Sequence, residues 1–278
     1  MALFGVLVAS VCKNLVVWLA PYSLTYLVWY VYFREQLQPY KFIPAYPSIK
    51  MMTAELRRSA SSVLICCLFD LAIGACYNGG YTALGRVGPH ITLWDNIDVV
   101  WRLDTYTENW RLLIAMLLWA DFHFYCIHRC LHESKWLYRH VHKVHHESSN
   151  PDPWSGLSFH PIEAAMFFSS LLIVFAVPLE LWQYDLLRFG TIISPLIAHL
   201  GHGHENFPWG YDHFIHHAKF NYNFATGMFP YNGIWDNLCG TAYREGTRAT
   251  VQRAGGARAQ VLPAKATANI PLPSVEIY

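Results

Sequence analysis

Charged residues are scarce in this sequence. Asp, Glu, Lys and Arg make up 14% of its 278 residues, against about 25% in an average soluble domain. The formal net charge is +1, and no basic stripe is visible, so the chain offers no surface for nucleic acid. Hydrophobic residues make up 54% and aromatic residues 16% of the chain, a composition that is typical of a protein that lies in a membrane.

Several familiar metal and redox motifs are missing. The seven cysteines form no CxxC pair, which argues against a zinc ribbon or a thioredoxin-like site. The HExxH pattern of metalloproteases is absent, and so is the Glu-x-x-His pattern of soluble di-iron bundles. No haem or flavin module is recognisable, so the electrons for any redox chemistry must come from a partner.

Long apolar runs predict an all-α integral membrane protein. A helix needs about 20 apolar residues to cross the hydrocarbon layer, and residues 14–33 and 60–77 are candidates. Residues 110–128 begin apolar and become polar, and residues 164–200 hold two apolar runs that break at Pro178. We therefore expect about four transmembrane helices, with a helical cap that carries the histidines.

The distribution of apolar and polar residues also predicts the domain organisation of the chain. Asp70 interrupts the second apolar run, and because a carboxylate is costly in lipid, we expect it to face other helices. The histidine-rich stretches that follow 128 and 200 can share one face only if residues 164–200 enter the membrane and return. Residues 1–243 are predicted to form a single membrane-embedded domain. Residues 244–278 are rich in Ala, Arg, Gly and Pro, and we expect a disordered tail there.

Histidines are concentrated in one part of the chain. All but one of the 15 histidines lie between His123 and His217. A lone histidine is more often a hydrogen-bonded core or surface group than a ligand, but this density indicates a metal site. HKVHH at 142–146 and HFIHH at 213–217 share one spacing. Adjacent histidines on a helix diverge by about 100°, so each pentad can serve two metal ions.

A stripe of polar residues precedes the first pentad. Asp121, Tyr125, His128 and His132 fall on one face of a helix. His128 and His132 are candidate ligands, and Asp121 and Tyr125 are candidate catalytic residues that would orient the ligands. Eight or more histidines exceed the four ligands of a structural zinc site. These patterns therefore predict a histidine-only dinuclear centre at a membrane face.

The three histidine boxes together resemble those of a known superfamily. HRCLH at 128–132, HKVHH and HFIHH match the HxxxH, HxxHH and HxxHH boxes of the fatty acid hydroxylase/sterol desaturase superfamily. The stretches DFHFYCIHR, SFHPIE, FNYNF and GIWDNLCGTAYR resemble further segments of that superfamily. The resemblance covers residues 40–244, and YKFIPAYPSIKMMTAELRRS resembles the approach segment of C-5 sterol desaturases.

The resemblance implies a set of metal ligands. Eight histidines fall in the boxes: His128, His132, His142, His145, His146, His213, His216 and His217. The stretch IAHLGHGHE offers further ligands, and we rank His199 and His202 above His204. We expect His160 to begin a helix rather than to bind metal, because Pro161 suits a first helical turn.

The resemblance also implies a fold and an activity. Members are multi-pass, non-haem di-iron oxygenases of the endoplasmic reticulum membrane, with the boxes in a cap on the cytosolic face. They use O2 and two electrons that pass from NAD(P)H through a cytochrome b5-type carrier and its reductase. Their substrates are sterols, acyl chains and sphingoid bases. If the source is bacterial, the cytoplasmic membrane is expected instead, and Zn²⁺ can replace iron in a purified sample.

Two classes of function follow from these observations. The first is a lipid oxygenase: a sterol desaturase of the C-5 type or a hydroxylase, with fatty acid/sphingolipid hydroxylases and C-4 methyl sterol oxidases as alternatives. The second is a membrane protein that binds or transports metal without catalysis. Histidine-rich segments of transporters are usually low-complexity loops, whereas these histidines keep helical spacing. The spacing therefore favours the enzyme.

Overall fold

The structure is a computed structural model that describes residues 2–78, 103–177, 179, 181–203, 210–225 and 233–243. Helices form nearly all of its regular structure, in this order: α1 Ala2–Tyr26, α2 Arg34–Leu37, α3 Ile49–Asn78, α4 Leu103–Glu133, α5 Lys135–Leu137, α6 Lys143–His146, α7 Pro161–Phe168, α8 Leu181–Ala198, α9 Tyr211–Lys219 and α10 Ile234–Leu238. Short 3-10 or π-helical turns join several of them, at Leu27–Tyr32, Gln38–Tyr40, Tyr138–His142, Pro153–Ser155 and Ser169–Phe175. The all-α prediction is confirmed for these ranges.

Two helical segments are long and apolar enough to cross a membrane. They are Ser10–Tyr32, which joins α1 to the π-helical turn after it, and Ile49–Cys76 within α3. Both overlap segments that the sequence predicts. Within the described ranges no other helix passes the same test, so two of the four expected spans are found. The apolar helix Pro161–Phe175 is too short, because 15 residues rise only about 22 Å.

The main hydrophobic core lies where α1, α3, α4, α7 and α8 meet. Its largest fully buried side chains include Tyr22, Phe168, Leu157 and Leu171. Trp18 and Tyr22 of α1 contact Trp154, which lies in the turn before α7, with ring centroids 6.2 Å apart in both pairs. This core connects the two long apolar helices to the segments that carry the histidines.

A polar network inside the bundle explains the acidic residue in the second apolar run. The Asp70 carboxylate accepts hydrogen bonds from Asn14 Nδ2 at 2.6 Å and from the Tyr184 hydroxyl at 2.6 Å. Arg188 of α8 also donates to Asp70, at 3.1 Å, and only 2% of the Arg188 side chain is exposed. Asp70 therefore faces other helices, as the cost of a carboxylate in lipid predicts.

The chain breaks between the two apolar runs of residues 164–200. A 3-10 turn ends at Phe175, and α8 begins at Leu181. The end of α8 lies beside the histidines that follow α5, since the His199 and His145 ring centroids are 5.0 Å apart. Pro178 itself lies outside the described residues, and so do His90, His204 and the tail at 244–278.

Candidate metal centre

Five histidines from three parts of the chain form the first histidine group. Each offers one ring nitrogen, and these nitrogens lie within 4.8 Å of one another in the set His128, His132, His142, His146 and His216. Helix α4 supplies two of them, the stretch that ends in α6 supplies two, and α9 supplies one. His146 is central, because its Nε2 lies 3.1 Å from those of His132 and His142 and 3.2 Å from that of His216.

Four histidines form the second histidine group beside the first. The set is His145, His199, His213 and His217, and all four side chains are buried. His217 Nε2 lies 3.2 Å from the Nε2 atoms of both His199 and His213. The two groups adjoin, since the rings of His146 and His217 have centroids 4.6 Å apart. The arrangement is thus a pair of neighbouring sites.

Each pentad contributes to both groups. In HKVHH, His142 and His146 belong to the first group and His145 to the second. In HFIHH, His216 belongs to the first group, and His213 and His217 to the second. The reason is geometric: residues four apart share a face of a helix, whereas the neighbouring residue points about 100° away. The first pentad follows a π-helical turn, Tyr138–His142, a feature that is frequent at functional sites.

Backbone carbonyls fix the tautomer of three of these imidazoles. The Nδ1 of His128 donates to the Phe224 carbonyl at 2.8 Å, that of His216 to the Tyr222 carbonyl at 2.7 Å, and that of His199 to the Pro195 carbonyl at 2.8 Å. A carbonyl oxygen can only accept, so the proton of each neutral ring lies on Nδ1. The lone pair of each ring therefore lies on Nε2, which faces the centre of its group.

Glu163 performs the same task for a fourth ligand candidate. Its Oε1 accepts from His142 Nδ1 at 2.7 Å, and it stands in the first turn of α7. Pairing of a carboxylate with a histidine is common behind metal ligands, because it orients the ring and makes its free nitrogen more basic. The sequence alone does not indicate this role for Glu163, although Glu163 ends the SFHPIE segment that resembles the family.

The geometry of the facing nitrogens fits a bound cation. His128 and His142 both use Nδ1 to donate, yet their Nε2 atoms lie 3.1 Å apart. Two lone pairs at this distance repel each other unless a positive ion lies between them. Adjacent ligands that bind one ion at about 2.1 Å lie about 3.0 Å apart at an angle of about 90° and about 3.4 Å apart at the tetrahedral angle. The residues present thus fit a metal ion in each group.

Burial keeps these imidazoles neutral, as ligands must be. It lowers the pKa of His145, His146 and His213 well below the usual value for histidine. The positive charge that neighbouring histidines would carry if protonated lowers the pKa of all three further. A neutral imidazole can offer its lone pair to a metal at ordinary pH without first losing a proton.

Asp121 and Tyr125 lie on α4 above the ligands, and both are buried. The Tyr125 hydroxyl lies 3.2 Å from the Thr241 hydroxyl and accepts from Arg129 at 3.0 Å. Its ring packs against Phe224, whose carbonyl holds His128. Tyr125 thus reaches the first group through Phe224 rather than by touching a ligand.

Asp236 of α10 holds the segment that contains that carbonyl. Its two carboxylate oxygens accept from the backbone N–H groups of Phe224 at 2.8 Å and Ala225 at 2.7 Å. The Thr241 hydroxyl donates to it as well, at 2.7 Å. The sequence alone could not separate a site role from a scaffold role for Asp236. The contacts give it an indirect one, which is to fix the acceptor for His128.

Among the candidate ligands that the structure describes, His202 is the one that lies apart from both groups. Its Nδ1 donates to the Leu200 carbonyl at 2.8 Å, and its ring packs edge-on against Trp29 and Tyr30. The turn at Gly201 causes this, because its φ of +68° bends the chain away from α8. A side chain at Gly201 would also collide with the Pro151 carbonyl. We therefore carry nine histidines, without His202, into the proposed ligand set.

Other histidines have separate surroundings. His160 accepts from the Ile162 N–H at 3.2 Å and so caps the start of α7, in agreement with its predicted role. His140 is exposed and stacks on Trp136 with centroids 5.0 Å apart. His123 contacts the Ser169 hydroxyl at 2.9 Å. Neither His140 nor His123 belongs to either histidine group.

Comparison with known proteins agrees with the geometry. Residues 113–241, which contain both histidine groups, match the model of the fatty acid hydroxylase family. Over these residues the chain is similar to the fatty acid hydroxylase family. Members are integral membrane proteins, which accords with the two long apolar helices. No solved structure gave a significant match to the chain.

Relatives within the fatty acid hydroxylase family carry several names. A probable Delta(7)-sterol 5(6)-desaturase of Neurospora crassa is 33% identical over 46% of this chain and 37% of its own length. Methylsterol monooxygenase 2-1 of Arabidopsis thaliana is 33% identical over 38% of this chain and 40% of its own length. A rice (Oryza sativa subsp. indica) very-long-chain aldehyde decarbonylase is 32% identical over 38% of this chain and 41% of its own length. The chain thus spans less than half the length of these relatives.

Proposed function

We propose that the protein is an O2-dependent, non-haem di-iron oxidoreductase that acts on a C–H bond of a membrane lipid. The observation that carries the proposal is the convergence of nine buried or half-buried histidines into groups of five and four. Several of their ring protons are held by carbonyls and by Glu163, so the free nitrogens converge with their lone pairs inward.

Iron is the metal that the chemistry favours. Imidazole suits Fe, Zn, Cu and Ni alike, so the ligands do not select the metal by themselves. Activation of O2 needs an ion that can change its oxidation state, which zinc cannot do. Sets of five and four donors leave coordination positions open for oxygen. A bound iron pair would supply the reducing power and the oxygen chemistry that protein side chains lack.

The chain's own residues would bind the metal ions, orient their ligands and enclose the C–H bond of the substrate. One pocket borders both histidine groups, and it is lined by His128, His142, His145, His199 and His213 together with Phe124, Phe159 and Phe167. The aromatic rings exclude water from the face where a C–H bond would be presented. Glu163 keeps the proton of His142 on Nδ1, and the Phe224 carbonyl does the same for His128. These contacts hold the ligands still during the reaction.

The favoured reaction is sterol desaturation of the C-5 type, or sterol hydroxylation. Relatives named as Delta(7)-sterol 5(6)-desaturases support it, together with the N-terminal stretch that resembles the C-5 desaturases. Fatty acid/sphingolipid hydroxylase and C-4 methyl sterol oxidase activity are the alternatives, and relatives named methylsterol monooxygenases keep the latter open. A displacement of about 1 Å in substrate placement can redirect such a reaction.

The reaction needs electrons from outside the chain. Desaturation converts O2, two electrons, two protons and two C–H hydrogens into two molecules of water. Hydroxylation places one oxygen atom on carbon and releases the other as water. We propose NAD(P)H as the source, with a cytochrome b5-type carrier and its reductase as partners, and the endoplasmic reticulum membrane as the location.

Product analysis with a matched variant tests the proposal. The full-length chain, loaded with iron in detergent, would receive sterol and acyl-lipid extracts with NADPH, cytochrome b5 and its reductase. We expect a product that has lost two hydrogens or gained one oxygen, with oxygen consumed. His145→Ala should abolish the product, whereas His140→Ala, at an exposed histidine outside both groups, should retain it. Metal binding without any lipid oxidation would instead support a metal-binding protein.

A further inference from the structure

An apolar groove lies beside the histidines, between α4 and α8. We call it the lateral groove. Its walls are Met116, Leu117 and Ala120 of α4 and Leu186, Leu187 and Gly190 of α8. It does not contain any member of the two histidine groups. The groove is therefore a separate feature that the metal centre does not explain.

The lateral groove adjoins the pocket that borders the histidines. Phe124, Phe167 and Ser194 line both. The Phe124 ring lies 4.8 Å from the His128 ring and meets Phe167 edge-on at 5.6 Å. Phe167 in turn lies 5.3 Å from Phe159, another wall of the histidine pocket. These shared residues therefore form the boundary between the groove and the metal centre.

Thr191 and His123, two of the polar side chains along the groove, are engaged with the protein itself. The Thr191 hydroxyl donates to the Arg188 carbonyl at 2.7 Å. His123 Nε2 and the Ser169 hydroxyl lie 2.9 Å apart, and Trp119 donates to the Ser170 carbonyl at 3.0 Å. The remaining lining side chains are mostly apolar. The groove thus suits hydrocarbon rather than a charged or strongly polar headgroup.

The groove reaches the outer surface of α8. Leu186, one of its walls, is 37% exposed, and Phe189, on the turn beside Gly190, is 45% exposed. A Cβ atom added at Gly190 would meet no atom within 4 Å. The absence of a side chain at position 190 therefore leaves open space in the groove wall.

We propose that the lateral groove binds the hydrocarbon part of the lipid substrate and delivers it past Phe124, Phe167 and Ser194 to the metal centre. Gly190 is a specificity-determining position, because its missing side chain provides room for the hydrocarbon. The inference rests on the proposed function for the identity of the ligand. The groove itself adjoins the histidine pocket, and its walls are apolar and open outward.

Two glycine variants test the groove. Gly190→Leu adds a side chain to the groove wall at a position where the new Cβ meets no atom within 4 Å, and leucine favours a helix more than glycine does. Gly74→Leu is the matched control, since Gly74 also lies within a helix, α3, has no atom within 4 Å of an added Cβ, and does not line the groove. We expect Gly190→Leu to lower kcat/KM about ten-fold or more, chiefly through KM. Metal content should equal that of wild type, and Gly74→Leu should match wild type throughout.

A binding readout separates this inference from the proposed function. Full-length protein in detergent would be irradiated with a diazirine-bearing sterol or, in a second arm, a diazirine-bearing acyl lipid, with and without iron. We expect labelled peptides from α4 and α8 in wild type and Gly74→Leu, and little label there in Gly190→Leu. The probe that labels these peptides, sterol or acyl lipid, shows which kind of hydrocarbon the groove binds. Equal labelling in all three proteins, or label confined to other helices, would overturn the groove whether or not lipid oxidation is observed.

Discussion

His145 and His146 are consecutive residues, yet their imidazoles belong to different histidine groups. Their ring centroids lie 5.9 Å apart with the planes at 76°. His146 Nε2 contacts the Nε2 atoms of His132, His142 and His216, whereas the His145 ring lies against those of His199 and His217. One short helix thus bridges two sites.

This relationship predicts separable effects of two neighbouring substitutions. His145→Ala should empty the second group and His146→Ala the first, so each variant should hold about one metal ion where wild type holds two. Both should lower lipid turnover about 100-fold or more, since loss even of a residue behind a ligand costs 10- to 100-fold. Metal analysis with the turnover assay checks this, with His140→Ala as control. If either variant kept both metals, the division into two groups would be wrong.

Glu163 is predicted to act through His142 rather than on the substrate. Glu163→Leu removes the acceptor for His142 Nδ1, which frees the ring to rotate and to change tautomer, so metal affinity should fall about 10- to 100-fold. Glu163→Gln keeps an oxygen acceptor and should recover part of the loss. Competition with a chelator measures the affinity. Glu147→Gln, at a half-exposed side chain that pairs with Arg58, is the control. Equal metal affinity in wild type and Glu163→Leu would show that Glu163 does not support His142 as a ligand.

The network around Asp70 is predicted to stabilise the helix bundle. Arg188→Leu leaves a buried carboxylate with one charged partner fewer, and such losses cost about 3–5 kcal/mol in the free energy of unfolding. Asp70→Leu should also be costly, since it takes one of two acidic partners, Asp70 and Asp185, from the buried Arg188. The double variant should cost less than the sum, because neither charge is left alone. Unfolding in mixed micelles measures all three, and Glu133→Ala, at an exposed pair, should cost only about 0.5 kcal/mol. If the losses of stability in Arg188→Leu and Asp70→Leu simply added up in the double variant, the two side chains would not be paired.

Lys41 is predicted to give the stability a distinctive pH dependence. Its ammonium is buried over the rings of Tyr30 and Tyr46, and burial lowers its pKa from 10.5 to about 8. Between these two pH values the unfolded chain binds more protons than the folded one, so this group makes stability rise with pH there. Below pH 8 both states hold the proton, and the folded state bears the full cost of burying it.

Comparison with Lys41→Met isolates that contribution. The stability of wild type minus that of Lys41→Met should be constant below about pH 7 and should increase between about pH 8 and pH 10.5. Thermal unfolding across this range measures it. Lys50→Met, at an exposed position, is the control for the loss of a lysine. A flat difference for Lys41→Met would mean that the ammonium is better solvated than the structure indicates.

The sequence predicted the part of the site that depends on local helical geometry. The 100° step between His145 and His146 and the start of a helix at Pro161 are local properties, and the structure has both. The position of His202 could not be predicted from the sequence, because the direction of the chain after α8 depends on one turn at Gly201 that packs against Pro151. The helical break near residue 178 was predictable from Pro178, since proline disrupts a helix interior.

Contacts between distant segments account for the rest. His142 meets Glu163, which lies 21 positions away, and His128 meets the Phe224 carbonyl, which lies 96 positions away. Asp236 fixes that carbonyl from a third segment. Spacing along one helix carries no information about such partners. The number of spans was also hard to predict, because α4 mixes apolar residues with Asp121 and histidines, and because α7 and the 3-10 turn after it are short.

Removal and return of iron, followed in one preparation, tests the central claim most directly. The full-length protein would be stripped with a chelator, reloaded with Fe²⁺ under anaerobic conditions, and assayed for metal content and O2-dependent lipid oxidation. The two histidine groups predict two iron ions per chain and a turnover that disappears on stripping and returns on reloading. Fewer than two metals after careful loading, or lipid oxidation that survives complete removal of metal, would contradict the account.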